Sequence, residues 1–197
     1  NASSLWAGPK CHLVHYPLRG GEQYNVVVTF QSRQQEQWGV SEGSKEEVES
    51  YFQGICKRAY QLIELPKSWK RWATADKDPI NNWVWGRVTL LGDAAHPTTQ
   101  YMAQGACMAL EDAVTLGEAL RVSEQNWDRA LQVYQQSRIV RTARIVLSGR
   151  EMGRLFHATG VERLIRNSLW KGRSQVRYFD AIDWLYGWNA NNCLEQR

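Results

Sequence analysis

A chain of 197 residues with a formal net charge of +4 is long enough to bury a real core. It has no transmembrane run and no signal peptide, which excludes a membrane-spanning role from the expectation and goes with a cytoplasmic setting. Cys11, Cys56, Cys107 and Cys193 lack C-x-x-C spacing, so no zinc site is expected and the thiols are read as reduced.

The chain opens on Asn1-Ala2-Ser3 without a methionine, and the true start of the protein is expected to lie upstream. Lys10 to Leu18, KCHLVHYPL, reads as a strand, and Glu22 to Gln31 reads as its hairpin partner across Arg19-Gly20-Gly21. The period of two sends His12, Val14 and Tyr16 to one face and Cys11, Leu13 and His15 to the other. His12 and His15 therefore do not form a metal pair, and no metal is expected.

Ser44-Lys45-Glu46-Glu47 is a capping box. The helix it starts is expected to carry Val48, Phe52, Ile55, Ala59 and Leu62 as one apolar stripe against the hairpin. Lys70 to Lys77 reads as a further strand, ended by Asp78-Pro79. Val84 to Leu91 is mostly apolar and β-branched, the pattern of a buried strand.

Gly92 to Ala113, GDAAHPTTQYMAQGACMALEDA, follows that strand and runs into a helix extending to about Val122. A strand that ends at Gly-Asp before a helix places backbone N–H groups and a helix N-terminus where a polar or anionic ligand can bind. An ordinary strand-turn-helix with Asp93 as the helix cap is the commoner reading of an isolated Gly-Asp pair. Glu111, Asp112, Thr115 and Glu118 are expected to form the polar edge of the helix. A second helix starts at Asn126 or Asp128 and runs to about His157, and the tail from Val161 to Asn189 is also helical.

From Asn126 to Arg177 there are 11 Lys and Arg against Asp128, Glu151 and Glu162, whereas the first 125 residues carry 12 against 14. The arginines are spread around helices rather than interleaved with aromatics, so no nucleic-acid partner is expected. A solvated face, or pairing with another part of the protein or a second subunit, accounts for the excess.

The full string Gly-Asp-Ala-Ala-His-Pro, with Gly105 and then Ala109-Leu110-Glu111-Asp112-Ala113, resembles the second flavin-binding motif of the FAD-dependent aromatic hydroxylases. That family includes para-hydroxybenzoate, salicylate and 3-hydroxybenzoate hydroxylases. The resemblance implies FAD as cofactor, with Gly92 and Asp93 at the ribityl chain, Pro97 beside the isoalloxazine ring, and Gln104, Gly105 and Ala106 at its pyrimidine end. The chain departs from the common pattern at Gln100, Ala103 and Cys107, where many members have proline, glycine and asparagine.

The family's first Gly-x-Gly-x-x-Gly loop does not occur in this sequence. The resemblance therefore implies an α+β fragment: part of a substrate-domain sheet, the C-terminal strand-helix of a FAD domain, and a helical tail, from a two-domain para-hydroxybenzoate-hydroxylase-like fold. The expected divisions are 1–80 for the substrate-domain portion, 81–122 for the flavin portion and 123–197 for the helical region. Alone, such a fragment is expected to be inactive.

Gly8-Pro9 before a histidine-containing strand, together with the tail Asp183-Trp184-Leu185-Tyr186-Gly187-Trp188, resembles the salicylate-type members. Within the family, His12, Tyr16 and Gln100 resemble the 3-hydroxybenzoate 6-hydroxylases most. This implies NADH as reductant, O2, a flavin C4a-hydroperoxide and a small aromatic acid converted to gentisate, with His12 as catalytic base and Tyr16 and Gln100 binding substrate. Salicylate 1-hydroxylation to catechol is the alternative within the family, and a flavin-free binding or assembly module the alternative outside it. A homodimer formed through the helical tail goes with the hydroxylase reading.

Overall fold

The computed structural model describes residues 2–35 and 37–195. The chain is mixed α and β and divides into two compact units, Asn1–Ala73 with Gly153–Gly172, and Thr74–Met152 with Arg173–Arg197.

The first unit is built on an antiparallel sheet of β1 (Ser4–Gly8), β2 (Cys11–Leu18) and β3 (Gln23–Phe30), in that order. The expected hairpin forms with His12 opposite Thr29 and Tyr16 opposite Asn25, and β1 is an additional strand on its other edge. Alternation along β2 sends Cys11 and Leu13 into a core with Val48, Phe52, Ile63 and Trp69, which leaves His12 on the other face. Leu13, Phe52 and Ile63 are completely buried, and burial of each such side chain stabilises the unit by about 1.5–3 kcal/mol.

The serine half of the capping box forms, with the Ser44 hydroxyl accepting from the Glu47 N–H at 3.0 Å, while the Glu47 carboxylate accepts from Arg71 instead of reaching back to Ser44. The single helix expected after it is instead two, α1 (Lys45–Tyr51) and α2 (Lys57–Glu64), separated by a turn at Gly54. Both halves keep the stripe on the sheet, because Phe52 at the break is still buried with Val48 and Ile63. The strand expected over Lys70–Lys77 is shorter and earlier. β5 (Trp69–Trp72) pairs with β4 (Val40–Gly43), and the rest of the expected strand, residues 73–77, is not in a ladder.

In the second unit, the buried strand expected over Val84–Leu91 is replaced by a tight hairpin of β6 (Val84–Trp85) and β7 (Val88–Thr89). Gly86 at φ 57° reverses the chain there, which a glycine does without a Cβ penalty. Trp85 and Val88 are consequently exposed rather than buried. α3 (Gly105–Val122) ends where expected, and the next helix, α4 (Trp127–Phe156), begins after Asn126, whose Oδ1 accepts from the Arg129 N–H.

α5 (Gly160–Lys171) belongs to the first unit and α6 (Gln175–Tyr186) to the second. Trp83, Ala95, Ala119, Ala130 and Tyr134 form one core of the second unit; Met108, Ile145 and Leu185 form another. No helix among the described residues is long and apolar enough to cross a membrane.

Candidate functional site

The segment between β7 and α3 is a loop with two turns of 3-10 helix, Gly92–Ala94 and Gln100–Met102. Gly92 sits at φ 59°, and its carbonyl accepts from the N–H groups of Ala95 and His96, both at 2.9 Å. A Cβ at this position would lie 3.4 Å from Ala109 Cβ, so the loop runs tight against α3. Its N–H donates to Asp112 Oδ2 at 3.0 Å.

Asp112 is the hub that holds the loop. His96 Nε2 lies 2.6 Å from Asp112 Oδ2, and Arg138 Nε donates to Oδ1 at 2.7 Å. Arg138 also pairs with Glu111 at 2.8 Å, while Arg141 binds the two Glu111 oxygens at 2.8 and 2.7 Å. Arg141 further donates to the carbonyls of Trp184 and Leu185, which ties α6 to α3.

Burial opposes ionisation of Asp112, but hydrogen bonds from His96, the Gly92 N–H and Arg138 outweigh it and keep the carboxyl below its ordinary range. Glu111, Asp112 and Thr115, three residues of the expected polar edge, are buried. The reason is charge pairing: two arginines of α4 turn an acidic helix face into an interior one.

With the loop fixed from beneath, the residues singled out for flavin divide: Gly92 and Gln104 are buried, Gly105 is half-buried and Ala106 is exposed. Asp93 is exposed, and none of the described residues binds its carboxylate. Pro97 and Gln100 are half-buried. Gln104 is the N-cap of α3 but gives no side-chain cap, and the first turn holds no acidic residue. α1 and α6, by contrast, start on the serine caps Ser44 and Ser174.

The opening N–H groups of α3, at Gly105, Ala106 and Cys107, therefore lack a capping side chain, in a helix of 18 residues. An unengaged carboxylate for hydroxyls and an uncapped helix start for an electron-rich edge fit the ribityl chain and pyrimidine end of FAD. Ala103, at the family's glycine position, takes the left-handed conformation with φ 52°. This is the geometry for which glycine is favoured.

The other predicted residues lie on β2. His12 is 3 % exposed, with its Nδ1 2.8 Å from Nε2 of His157, just beyond the end of α4. Burial first, and then the charge of His157, push the His12 pKa down to about 3; burial alone brings His157 to about 4. Both are neutral at pH 7. Tyr16 is 37 % exposed, and its hydroxyl accepts from Asn25 Nδ2 at 2.8 Å.

His157 and the Asp112 hub went unread in the sequence. His96 and Glu111-Asp112 sit inside the recognised motif, but the arginine partners of Glu111 and Asp112 are 26 or more residues away, at Arg138 and Arg141. His157 is 145 residues from His12, and no spacing rule links them. Among the described residues no group of three or more His, Cys, Asp or Glu is arranged to hold a metal ion.

The family model described as "FAD binding domain" matches residues 7–148. A protein of Aquipseudomonas alcaligenes named 3-hydroxybenzoate 6-hydroxylase 2 is 80 % identical over 196 residues, covering 100 % of this chain and 61 % of its own. The 3-hydroxybenzoate 6-hydroxylase of Polaromonas naphthalenivorans is 75 % identical, over 98 % of this chain and 48 % of its own. The chain thus spans about half to three-fifths of the length of these curated relatives. The solved structure titled "Salicylate hydroxylase substrate complex" superposes with a TM-score of 0.83 at 26 % identity, over 100 % of this chain and 49 % of that one. With the motif loop, the uncapped start of α3 and the match over residues 7–148 all agreeing, the chain belongs to the FAD binding domain family.

Proposed function

We propose that the protein carrying this chain is a FAD-dependent monooxygenase that converts 3-hydroxybenzoate to 2,5-dihydroxybenzoate with NADH and O2. The observation that carries this reading is the high identity, over nearly the whole chain, to proteins named 3-hydroxybenzoate 6-hydroxylase. Salicylate hydroxylation is the second reading, supported by the likeness of fold at much lower identity. In this reading residues 1–80 are the substrate-domain portion, 81–122 the flavin portion and 123–197 the helical region. A cytoplasmic location goes with it. So does a second subunit on the tail, where α5 exposes Val161, Leu164 and Leu169.

Bound FAD, once reduced by NADH, supplies the activated oxygen atom. Asp93 holds the ribityl hydroxyls, Gly92 admits the tight turn behind it, and Pro97 lies along the ring system. Gln104, Gly105 and Ala106 present N–H groups to the pyrimidine edge. Gln100 and Tyr16 hydrogen-bond the substrate's hydroxyl and carboxylate.

An electrophilic oxygen reacts best with an electron-rich ring, so the phenol must give up its proton, and His12 is the base that receives it. The reference pKa values of about 6.5 for histidine and about 10 for a phenol already leave roughly 5 kcal/mol to be offset. Burial of His12 widens the gap. A phenolate beside an imidazolium in a dry site narrows it again, because the two charges attract strongly at low dielectric.

The test is product identification. The flavin-loaded protein, given 3-hydroxybenzoate and NADH, is expected to release 2,5-dihydroxybenzoate. Catechol from salicylate, with 3-hydroxybenzoate left unchanged, would favour the second reading.

A further inference from the structure

A small pocket of the first unit is rich in donors and carries no acid. It lies where the edge strand β1 meets α5 and has a volume of about 250 Å³. Leu5, Ile55 and Trp170 give it apolar walls, and Leu5 and Trp170 are each 38 % exposed.

Its polar lining is Trp6, Arg163, Arg166 and Asn167. Arg166 is buried and spends its donors on neutral oxygens: Nη1 reaches the carbonyls of Leu155 and Phe156 at 2.9 and 3.0 Å, while Nε and Nη2 share Asn167 Oδ1 at 3.1 and 2.8 Å. Among the described residues no carboxylate pairs with Arg166, or with Arg163 three residues before it on α5. Glu162, the acid beside them, is bound to Arg154 at 2.8 Å. Burial first, and then the charge of Arg163, hold Arg166 below the ordinary guanidinium range, and Glu162 offsets them only in part. The oxygen of Asn167 is taken, which leaves its amide nitrogen as a donor. The indole Nε1–H of Trp6 is buried with no acceptor among the described residues. Water satisfies a single donor, but two neighbouring cations, one of them buried, call for an anion.

We propose that this pocket binds a small aromatic carboxylate: Arg163 takes the carboxylate in its guanidinium fork, the Asn167 amide and the Trp6 indole supply further donors, and Leu5, Ile55 and Trp170 enclose the ring. The site shares no residue with the substrate site proposed above and does not rest on that reading.

The class of ligand follows from the charges and the walls. One guanidinium has its donors engaged, so one remains, which suits a singly charged group better than a doubly charged phosphate. A planar guanidinium fork matches the two oxygens of a carboxylate. A wholly polar anion leaves Leu5 and Trp170 in water, whereas a ring covers them. The volume admits one ring rather than a drug-sized ligand.

The experiment uses the flavin-loaded protein with 15N in its tryptophan indoles. Benzoate is the probe, with benzyl alcohol as a ring without charge and acetate as a charge without a ring. The indole signals of Trp6 and Trp170, assigned from Trp6→Phe and Trp170→Phe, are expected to shift saturably with benzoate, at a Kd of about 1 mM or tighter, and not with the other two at the same concentrations. Arg163→Met is expected to weaken binding by about 10- to 100-fold. Arg163→Lys, which keeps the charge and loses the fork, is expected to weaken it less. Tyr16→Phe, in the substrate site, is expected to leave it unchanged.

No saturable shift with benzoate overturns the proposal. So does equal binding of benzyl alcohol, or an Arg163→Met variant with parental affinity, since either makes the pocket merely apolar. Loss of the shifts in Tyr16→Phe also overturns it, because the signals then report the substrate site from a distance. If Arg163→Met does not fold, a Lys variant that binds as tightly as the parent still removes the fork. If benzoate binds as expected but 3-hydroxybenzoate yields no hydroxylated product, the hydroxylase reading fails and the carboxylate site stands.

Discussion

Each compact unit buries a histidine against a polar partner, and the partners differ in charge. In the first unit His12 meets the neutral ring of His157; in the second, His96 meets the carboxylate of Asp112, itself gripped by Arg138. The sequence offers two superficially similar histidines, each beside a functional motif. The contrast teaches that the partner assigns the job. A charged partner inside an ion network fixes a loop, whereas a neutral partner leaves the buried imidazole uncharged.

The largest effect is expected where the ion network is broken. Asp112→Ala removes the shared acceptor of Gly92, His96 and Arg138 and leaves a buried guanidinium poorly compensated. The second unit is expected to lose about 3–5 kcal/mol, read by urea denaturation. A loss under 1 kcal/mol would place Asp112 among ordinary polar residues and dissolve the contrast.

His12→Ala tests the other side. Hydroxylation in single turnover is expected to fall by about 10²- to 10⁴-fold, with substrate affinity changed much less and partial recovery as pH nears the phenol's pKa of about 10. Parental rate with weakened binding would make His12 a substrate-positioning group only.

Acid should separate the two units. His12 and His157 have folded pKa values of about 3 and about 4, against about 6.5 for unfolded histidine. The unfolded chain therefore takes up protons first, and the stability present above pH 6.5 is lost as pH falls towards those folded values. Asp112 has its pKa lowered as well, from a carboxylate value of about 4, so its contribution survives until pH falls below that. Between about pH 6.5 and 4 the first unit is expected to weaken by a few kcal/mol while the Asp112 hub holds. Hydrogen exchange resolved by peptide checks this, and equal softening of both units would contradict it.

Asp93→Ala is expected to leave the fold intact, because none of the described residues uses that carboxylate. Flavin retention should weaken by about 0.5–1.5 kcal/mol, or up to about 3 if charge assists the bond, measured by release on dilution. FAD held through dialysis as by the parent would remove the ribityl assignment.

The smallest effect concerns strain in the held loop. Ala103→Gly relieves a left-handed residue at φ 52° and should stabilise the second unit by about 0.5–1 kcal/mol, after the extra chain entropy of glycine is counted. A destabilised variant would show that Ala103 packs in a way its conformation does not reveal.

Local patterns were legible in the sequence because their causes are local. Alternation along Cys11–Leu18 separated the core face from the His12 face, Ser44 capped α1, and α3 ended at Val122 as its pattern implied. The flavin motif was legible for the same reason, since its turn glycine, Asp93 and the start of α3 are close in the chain. Where the reading failed, a distant partner or a single torsion decided. Gly86 turned an apolar run into a hairpin, Gly54 divided a helix while its stripe stayed buried, and arginines of α4 drew Glu111 and Asp112 inward. The sequence by itself determined which residue types stand in the motif loop and on the His12 face, and so which residues are proposed to hold a flavin edge and to accept a proton. Only the tertiary structure decided that His12 has His157 as its neighbour and His96 has Asp112, because a buried polar group takes its protonation state from what faces it, and what faces it here comes from another part of the chain.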